Sequence, residues 1–181
     1  MKTYEEYLAE AVAFHGHLCS GQAIGVRMAM YGMKLLGIDD PKRQKDLLVY
    51  IECDRCITDA IGSVTGCKLG KRTLKWFDYG KTAATFVSIS SRQAWRIRRR
   101  QHLYPADGED VAAFFGAQGD ETLFIAEPVR VPFGPGDLPG RPCDAVVCEQ
   151  CHEEVIDGKQ IIKDGRILCK ACATGGYYER C

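Results

Sequence analysis

The chain has 181 residues, of which 46% are hydrophobic and 27% charged. Its 24 basic and 24 acidic residues balance, which excludes a general electrostatic attraction to nucleic acid or to an anionic membrane surface. Three glutamates among the first ten residues interrupt any signal peptide, and no window approaches the ~20 apolar residues of a membrane span. We therefore expect a soluble, cytoplasmic protein without a membrane partner.

Two helices are predicted at the start of the chain. Thr3 and Glu6 have the spacing of a capping box, and the apolar stripe that follows ends near Phe14. Ser20 is predicted to cap a second helix, which runs to about Leu36 and stops at Gly37. Three glycines lie in this second helix or at its start: Gly21, Gly25 and Gly32. Glycine destabilises a helix, so another helix or a ligand is expected to approach the backbone there.

The middle of the chain alternates between strand and helix patterns. The predicted elements are a buried strand at Leu47–Ile51, a helix from Cys56 to Val64 closed by Gly66, a hairpin of Leu74–Tyr79 and Thr82–Ile89 around Gly80-Lys81, a helix at Glu109–Phe115, and an edge strand at Leu123–Val131 broken at Pro128. Helices first and neighbouring strands later indicate an α+β fold, in which N-terminal helices pack on a mostly antiparallel sheet.

The composition changes after residue 131. Residues 132–142 contain four prolines and three glycines, which is typical of a linker. We therefore divide the chain into a core domain at 1–131, a linker at 132–142 and a small C-terminal module at 143–181.

The C-terminal module carries two Cys-x-x-Cys hooks, Cys148–Cys151 and Cys169–Cys172, separated by seventeen residues. Two such hooks supply the four sulfurs of a tetrahedral zinc site. Two short strands are predicted around Asp157-Gly158, as in a zinc ribbon or a treble clef. A structural zinc ion is expected, because so small a segment lacks a sufficient apolar core. Two disulfides are the alternative, and Cys143 is close enough in sequence to exchange with Cys148.

A second group of candidate ligands lies between the first two helices. His15, His17 and Cys19 are two residues apart, so an extended segment would place all three on one face, whereas a helix would align only His15 and Cys19. Imidazole and thiolate favour zinc, iron, nickel or copper(I) over magnesium or calcium. In the alternative interpretation, His15 caps the first helix, His17 forms hydrogen bonds in the core and Cys19 is a small buried side chain.

Further candidates follow the strand at 47–51. Cys56 and Asp59 are one helical turn apart and can face one site. Cys67 and Lys71 add a thiol and a cation near a tight turn. We assign a histidine as ligand or general base, Asp59 as the group that orients a ligand or moves protons, and Lys71 as the partner of an anionic group. Purely structural thiols are the alternative.

These segments together resemble the E-subunit family of formylmethanofuran dehydrogenase. The matching pieces are Phe14-His15-Gly16-His17-Leu18-Cys19 with Gly21 and Gly25, Cys56 through Asp59-Ala60-Ile61, Thr65-Gly66-Cys67 with Gly70-Lys71, Asp78-Tyr79-Gly80-Lys81, and the two cysteine hooks. The resemblance implies an α+β core with a cavity lined by His15, His17, Cys19, Cys56 and Cys67, a C-terminal zinc module, and homodimers. It also implies an accessory protein linked to molybdenum or tungsten oxidoreductases rather than a particular reaction.

Three functions are compatible with this sequence. The first is a metal-binding accessory or redox protein of anaerobic one-carbon metabolism, with a second zinc, iron or nickel ion in the core. The second is a module that delivers metal or cofactor to a molybdenum or tungsten oxidoreductase. The third is nucleic-acid binding, suggested by five arginines: Arg92, Arg96, Arg98, Arg99 and Arg100. Acidic residues in the zinc module oppose the third function.

Overall fold

A computed structural model describes residues 1–101 and 103–179. The chain forms two compact units, Met1–Val131 and Pro132–Cys181. Within the described ranges, none of the helices combines the length and the apolar content that a bilayer crossing requires.

The first unit begins with the two predicted helices. Its helices are α1 (Tyr4–His15), α2 (Ser20–Leu36), α3 (Pro41–Gln44), α4 (Ile57–Thr65), α5 (Val111–Ala117) and α6 (Asp120–Leu123), with a 3-10 turn at Leu69–Lys71. The capping box of α1 is confirmed, because Thr3 N–H donates to Glu6 Oε2 at 2.8 Å and Glu6 N–H donates to Thr3 Oγ1 at 3.2 Å. Gly37 ends α2 in the left-handed conformation, as expected. The cap of α2 was predicted wrongly: Cys19 occupies the N-cap position, and Ser20 is the first helical residue.

A five-stranded sheet completes this unit. Its strands are β1 (Leu47–Ile51), β2 (Leu74–Trp76), β3 (Ala83–Ser88), β4 (Ala94–Arg99) and β5 (Phe124–Pro128), in the order β2-β1-β3-β4-β5. The pair β1–β2 is parallel and the other pairs are antiparallel. The α+β fold with a mostly antiparallel sheet is thus confirmed, and β5 lies at an edge and ends at Pro128 as predicted.

The hairpin predicted around Gly80-Lys81 is wrong. Both β2 and β3 pair with β1, on opposite sides of it. Helix α4 connects β1 to β2, and such a crossover returns the chain parallel to the strand it left. The following segment then crosses the end of β1, where the backbone N–H groups of Tyr79 and Lys81 donate to Glu52 O at 3.1 and 3.0 Å. The connection from β2 to β3 is therefore not a tight hairpin turn but a longer segment that crosses the end of β1.

Close helix contacts explain two of the glycines in α2. A Cβ atom on Gly25 would lie 2.6 Å from Ala60 Cβ and 2.9 Å from Ile57 O, and one on Gly32 would lie 2.5 Å from the Phe86 ring. Helix α2 therefore touches α4 at one glycine and β3 at the other. Both distances are below ordinary van der Waals separation, so these positions have no room for a methyl group.

Gly25→Ala should lower the free energy of unfolding of the first unit by about 1–3 kcal/mol, because the added methyl group forces α2 and α4 apart. Urea unfolding followed by tryptophan fluorescence measures this, since the chain's 2 tryptophans, Trp76 and Trp95, both lie in the first unit. Gly70→Ala is the matched control, because a Cβ there meets open space. Equal stability of the two variants would contradict the close contact.

The second unit is built from two small hairpins and a helix. Its elements are a 3-10 turn at Pro135–Asp137, strands β6 (Val146–Val147), β7 (Glu154–Val155), β8 (Ile161–Lys163) and β9 (Arg166–Leu168), and helix α7 (Lys170–Thr174). Residues 132–142 belong to this unit. Within them, Asp137 pairs with Lys159 at 3.7 Å, so the proline- and glycine-rich segment packs on the module that follows it.

The two strands predicted around Asp157-Gly158 do not pair with each other. Strand β7 pairs with β6 and β8 pairs with β9, and the hairpin turn of the second pair is Asp164-Gly165. The reason is the first cysteine hook, which makes a tight turn: Cys148 N–H donates to Glu153 O at 2.9 Å. This turn brings β6 beside β7 and leaves Asp157-Gly158 as the connection between the two hairpins.

Candidate metal centres

The four hook cysteines converge on one point. The sulfur atoms of Cys148, Cys151, Cys169 and Cys172 all lie within 4.8 Å of one another. The first hook forms the β6–β7 turn, and the second opens α7, where Cys169 Sγ accepts a hydrogen bond from Cys172 N–H at 3.4 Å. Four convergent sulfurs on two tight turns are the donor set of a tetrahedral metal site. The cluster can therefore hold one metal ion.

The charges of this cluster also favour a cation. Backbone N–H groups of Cys151 and Cys169 lower the pKa of Cys148 to about 6, and the N–H of Cys169 lies 3.2 Å from the sulfur. The hydrogen bond that Cys172 shares with Cys169 raises the pKa of Cys172 to about 12. Four thiols this close do not all ionise beside one another unless a cation compensates their charge.

Neither alternative for these cysteines matches the structure. All nine cysteines in residues 1–101 and 103–179 are free thiols. Cys143 is exposed and stands outside the group of four, and its backbone N–H donates to Asp157 Oδ1 at 3.0 Å. Among the described residues, the candidate ligand set at this cluster is therefore the four cysteines of the two hooks.

A second donor group lies between α1 and α2. Donor atoms of His15, His17 and Cys19 lie within 4.8 Å of one another, and the two imidazole rings are 4.7 Å apart. His15 is the last residue of α1, Gly16 turns the chain with φ of +99°, and Cys19 has extended backbone. Only glycine readily adopts the conformation of Gly16. This turn brings the three side chains together, and we call them the core cluster.

Asp59 orients His15, the first residue of the core cluster. Its Oδ2 lies 2.9 Å from His15 Nδ1, and a carboxylate acceptor places the proton on Nδ1. His15 Nε2 is buried and has no hydrogen-bond partner within the described structure. A histidine held by a carboxylate at one nitrogen and free at the other is typical of a metal ligand. Gly16 rather than His15 caps α1, and His17 is exposed, so the structural interpretation of these residues does not hold.

Cys56 lies beside the core cluster. Burial, followed by a hydrogen bond shared with Cys19, raises the pKa of the Cys56 thiol. Gly21 permits this approach, because a Cβ there would be 2.9 Å from Cys56 Cβ and 3.6 Å from Cys19 Sγ. Cys56 is therefore positioned as an additional sulfur next to Cys19, outside the group of three whose donors are all mutually close.

Gln22 was missed by the sequence analysis. Its side chain is fully buried, and its Nε2 donates to Cys56 O at 2.6 Å. Oε1 of the same amide is buried without a partner in the described residues. The available signal was a polar residue between Gly21 and Gly25, on the face of α2 that the glycines mark as a close contact. Gln22 fixes the start of α4 and hence the position of Cys56.

Cys67 and Lys71 lie elsewhere. The Cys67 thiol is buried and 3.6 Å from Leu47 O, and burial raises its pKa. The structure does not bring it into the core cluster. Together with Asp59 and Lys71, it lines a cavity of about 660 Å³ beside α4. Asp59 is thus the residue common to the core cluster and this cavity.

Most of the arginine-rich segment forms strand β4 (Ala94–Arg99), which the sequence analysis did not predict. Arg96 makes two hydrogen bonds to the Glu52 carboxylate, at 2.7 and 2.8 Å, and Arg98 approaches Glu127 at 4.0 Å. Arg99 donates to Leu103 O and Arg100 to Glu121 O. Because these four arginines serve internal contacts, the segment offers little support for nucleic-acid binding.

Comparisons with known proteins agree with this fold. The family model described as "FmdE, Molybdenum formylmethanofuran dehydrogenase operon" matches residues 14–119, which include the core cluster, Cys56 and the cavity. The solved structure of a "tungsten formylmethanofuran dehydrogenase subunit e (fmde)-like protein" from Syntrophus aciditrophicus matches with a TM-score of 0.61 and 23% sequence identity. The match covers 97% of this chain and 95% of that one, and at this identity it supports the fold alone.

A curated relative matches about two thirds of the chain. It is a "Probable S-adenosyl-L-methionine-binding protein" of Archaeoglobus fulgidus, 39% identical over 119 residues. Those residues are 64% of this chain but 31% of the relative. The chain thus spans about a third of that protein's length.

Proposed function

This chain belongs to the FmdE family, and we propose that it is a metal-binding accessory protein with two separate metal sites. One is the core cluster in the first unit, and the other is the four-cysteine cluster in the second. The observation that carries the proposal is His15, whose Nδ1 is held by Asp59 while its buried Nε2 has no partner in the described structure. A buried nitrogen without a hydrogen bond is unfavourable unless a ligand uses its lone pair.

The core cluster suits a transition metal. His15, His17 and Cys19 would supply two imidazoles and a thiolate, and Cys56 is the nearest additional sulfur. Mixed nitrogen and sulfur donors favour zinc, iron or nickel over hard cations. A metal held there would supply Lewis-acid or redox chemistry. Asp59 would keep the His15 proton on Nδ1, and Gln22 would hold the backbone of Cys56 in place.

In the second unit, we propose that the four hook cysteines hold a structural zinc ion. Among the described residues, three members of their hydrophobic cluster are buried: Cys148, Leu168 and Ala173. So small an apolar core cannot stabilise the unit, and metal binding supplies the missing free energy.

Delivery of metal to a molybdenum or tungsten oxidoreductase is the second candidate function. It is favoured by the exposure of His17, which leaves the core cluster open to solvent on one side. An ion held at such a site can exchange more readily than one in a closed structural site.

Metal analysis of the full chain after reconstitution with zinc, iron or nickel tests the two-site proposal. We expect two metal ions per wild-type chain and one in Cys19→Ser and in His17→Ala. Cys143→Ser is the control and should keep both, because Cys143 lies outside both groups. One ion per chain in the wild type, with every reconstituting metal, would refute the core site.

Asp59→Asn tests how the core site is built. An asparagine amide can present its nitrogen instead of an acceptor to His15 Nδ1, so affinity for the core metal should fall about 10- to 100-fold. Asp54→Asn is the control, since Asp54 is exposed and its nearest ion-pair partner in the described residues is Arg55 at 4.0 Å. Competition with a chromophoric chelator measures both affinities, and equal values would contradict the role of Asp59.

A further inference from the structure

The cavity beside α4 adjoins the core cluster through a single side chain. Asp59 faces His15 with one carboxylate oxygen at 2.9 Å, and the same residue lines the cavity of about 660 Å³. Phe14, which directly precedes His15, lines it as well. Cavities that bind small molecules measure ~300–1,000 Å³. A molecule in this cavity would therefore contact Asp59, the residue that holds His15 at Nδ1.

The charge of the cavity is positive. Three lysines line it, Lys42, Lys68 and Lys71, against one carboxylate, Asp59. Lys42 is partly neutralised by Glu10 at 3.5 Å. Lys68 and Lys71 are exposed and form no ion pair within the described part of the chain. Two ammonium groups of the cavity lining thus remain available.

A rigid turn holds these two lysines. Thr73 Oγ1 accepts a hydrogen bond from Lys68 N–H at 3.0 Å, and Lys68 O accepts one from Leu74 N–H at 3.2 Å. Lys71 ends the 3-10 turn between them, in which Lys71 N–H donates to Lys68 O at 3.2 Å. Because the backbone is already ordered, binding an anion here would restrict only the two side chains.

The other lining residues suit the remainder of a small molecule. Phe14, Leu69 and Leu74 provide apolar surface, while Thr58 and Ser63 provide hydroxyl groups. Most small-molecule sites combine such apolar walls with a few polar or charged groups.

We propose that this cavity binds a small molecule carrying an oxyanion, either carboxylate or phosphate, with the anionic group at Lys68 and Lys71 and the opposite end near Asp59. The inference rests on the proposed function, because Asp59, near which the ligand would end, is the residue that orients His15 as a metal ligand. It names the class of molecule that would bind beside this residue.

Amide chemical-shift titration of the full, zinc-loaded chain with inorganic phosphate, and separately with succinate, tests the proposal at fixed ionic strength. We expect saturable shifts at residues lining the cavity with at least one anion and none with glycerol. The anion that binds more tightly identifies the oxyanion. Lys68→Gln and Lys71→Gln should each weaken binding about tenfold or more.

Lys34→Gln is the matched control, because it removes the same charge from an exposed lysine of α2 that does not line the cavity. The affinity of the Lys34→Gln variant for the anion should equal that of the wild type. No saturable shift with either anion, or equal weakening by Lys34→Gln, would overturn the proposal.

Two measurements separate this inference from the proposed function. Anion binding should persist in Cys19→Ser, which keeps both lysines, and the lysine variants should keep two metal ions per chain. In the wild type, anion binding without a core metal would refute the proposed function alone. A core metal without anion binding would refute this inference alone.

Discussion

Cys169→Ser should release the metal of the second unit and unfold that unit while the first unit stays folded. Cys169 contributes a sulfur and caps α7, and its backbone N–H donates to the sulfur of Cys148. Metal binding supplies about 10–16 kcal/mol in small zinc modules, which is as much as the total stability of an ordinary domain. Losing one of four ligands therefore removes most of what holds these residues together.

Hydrogen exchange resolves the two units in this experiment. Amides of β6 to β9 and of α7 should lose their protection in Cys169→Ser, whereas tryptophan fluorescence from Trp76 and Trp95 should report an unchanged first unit. Cys143→Ser, a cysteine-to-serine change in the same unit but outside the cluster, should keep metal and protection. Protected amides in metal-free Cys169→Ser would contradict the dependence of the second unit on metal.

Arg96→Met should lower the free energy of unfolding of the first unit by about 3–5 kcal/mol, because it leaves a buried carboxylate without its partner. Glu52 has a side chain only 9% exposed, and Arg96, at 24%, binds it with two hydrogen bonds of 2.7 and 2.8 Å. Urea unfolding followed by tryptophan fluorescence measures the loss.

Two further variants isolate the unpaired charge. Arg98→Met removes an arginine of the same strand that is 41% exposed and 4.0 Å from Glu127, so it should change stability by no more than ~0.5 kcal/mol. Adding Glu52→Gln to Arg96→Met should recover much of the loss, because no charge is then buried. A loss that persists in the double variant would mean that packing of the Arg96 stem, rather than charge, is responsible.

Elements that depend on local chemistry were predictable. The capping box at Thr3 and Glu6 and the left-handed Gly37 mark helix ends through contacts within a few residues, so α1 and α2 were located closely. Strand pairing depends on distant residues, and the hairpin prediction failed for that reason. The sequence analysis missed strand β4 because arginines interrupt its apolar pattern, in which two residues, Ala94 and Ile97, are buried.

The candidate site likewise combines features that local sequence predicts with features that depend on distant contacts. The spacing of His15, His17 and Cys19 predicted that an extended segment would place all three on one face, whereas in the structure the left-handed turn at Gly16 brings them together. Whether the Cys67 thiol would join them depended on the direction in which the chain leaves α4, and it instead contacts Leu47 O. The hydrogen bond of Gln22 to Cys56 joins two helices 34 residues apart in sequence, so no local pattern predicts it.

The surface position of His17 sets an order of assembly for the two proposed metal ions. On the proposed function, the ion of the second unit arrives while that unit folds, because its small apolar core cannot stabilise it without metal. Ions can reach the core cluster after folding is complete, because the imidazole of His17 is exposed to solvent. The core cluster would then bind whichever suitable metal is most available in the cell after folding. The second unit would keep the ion that it bound while it folded.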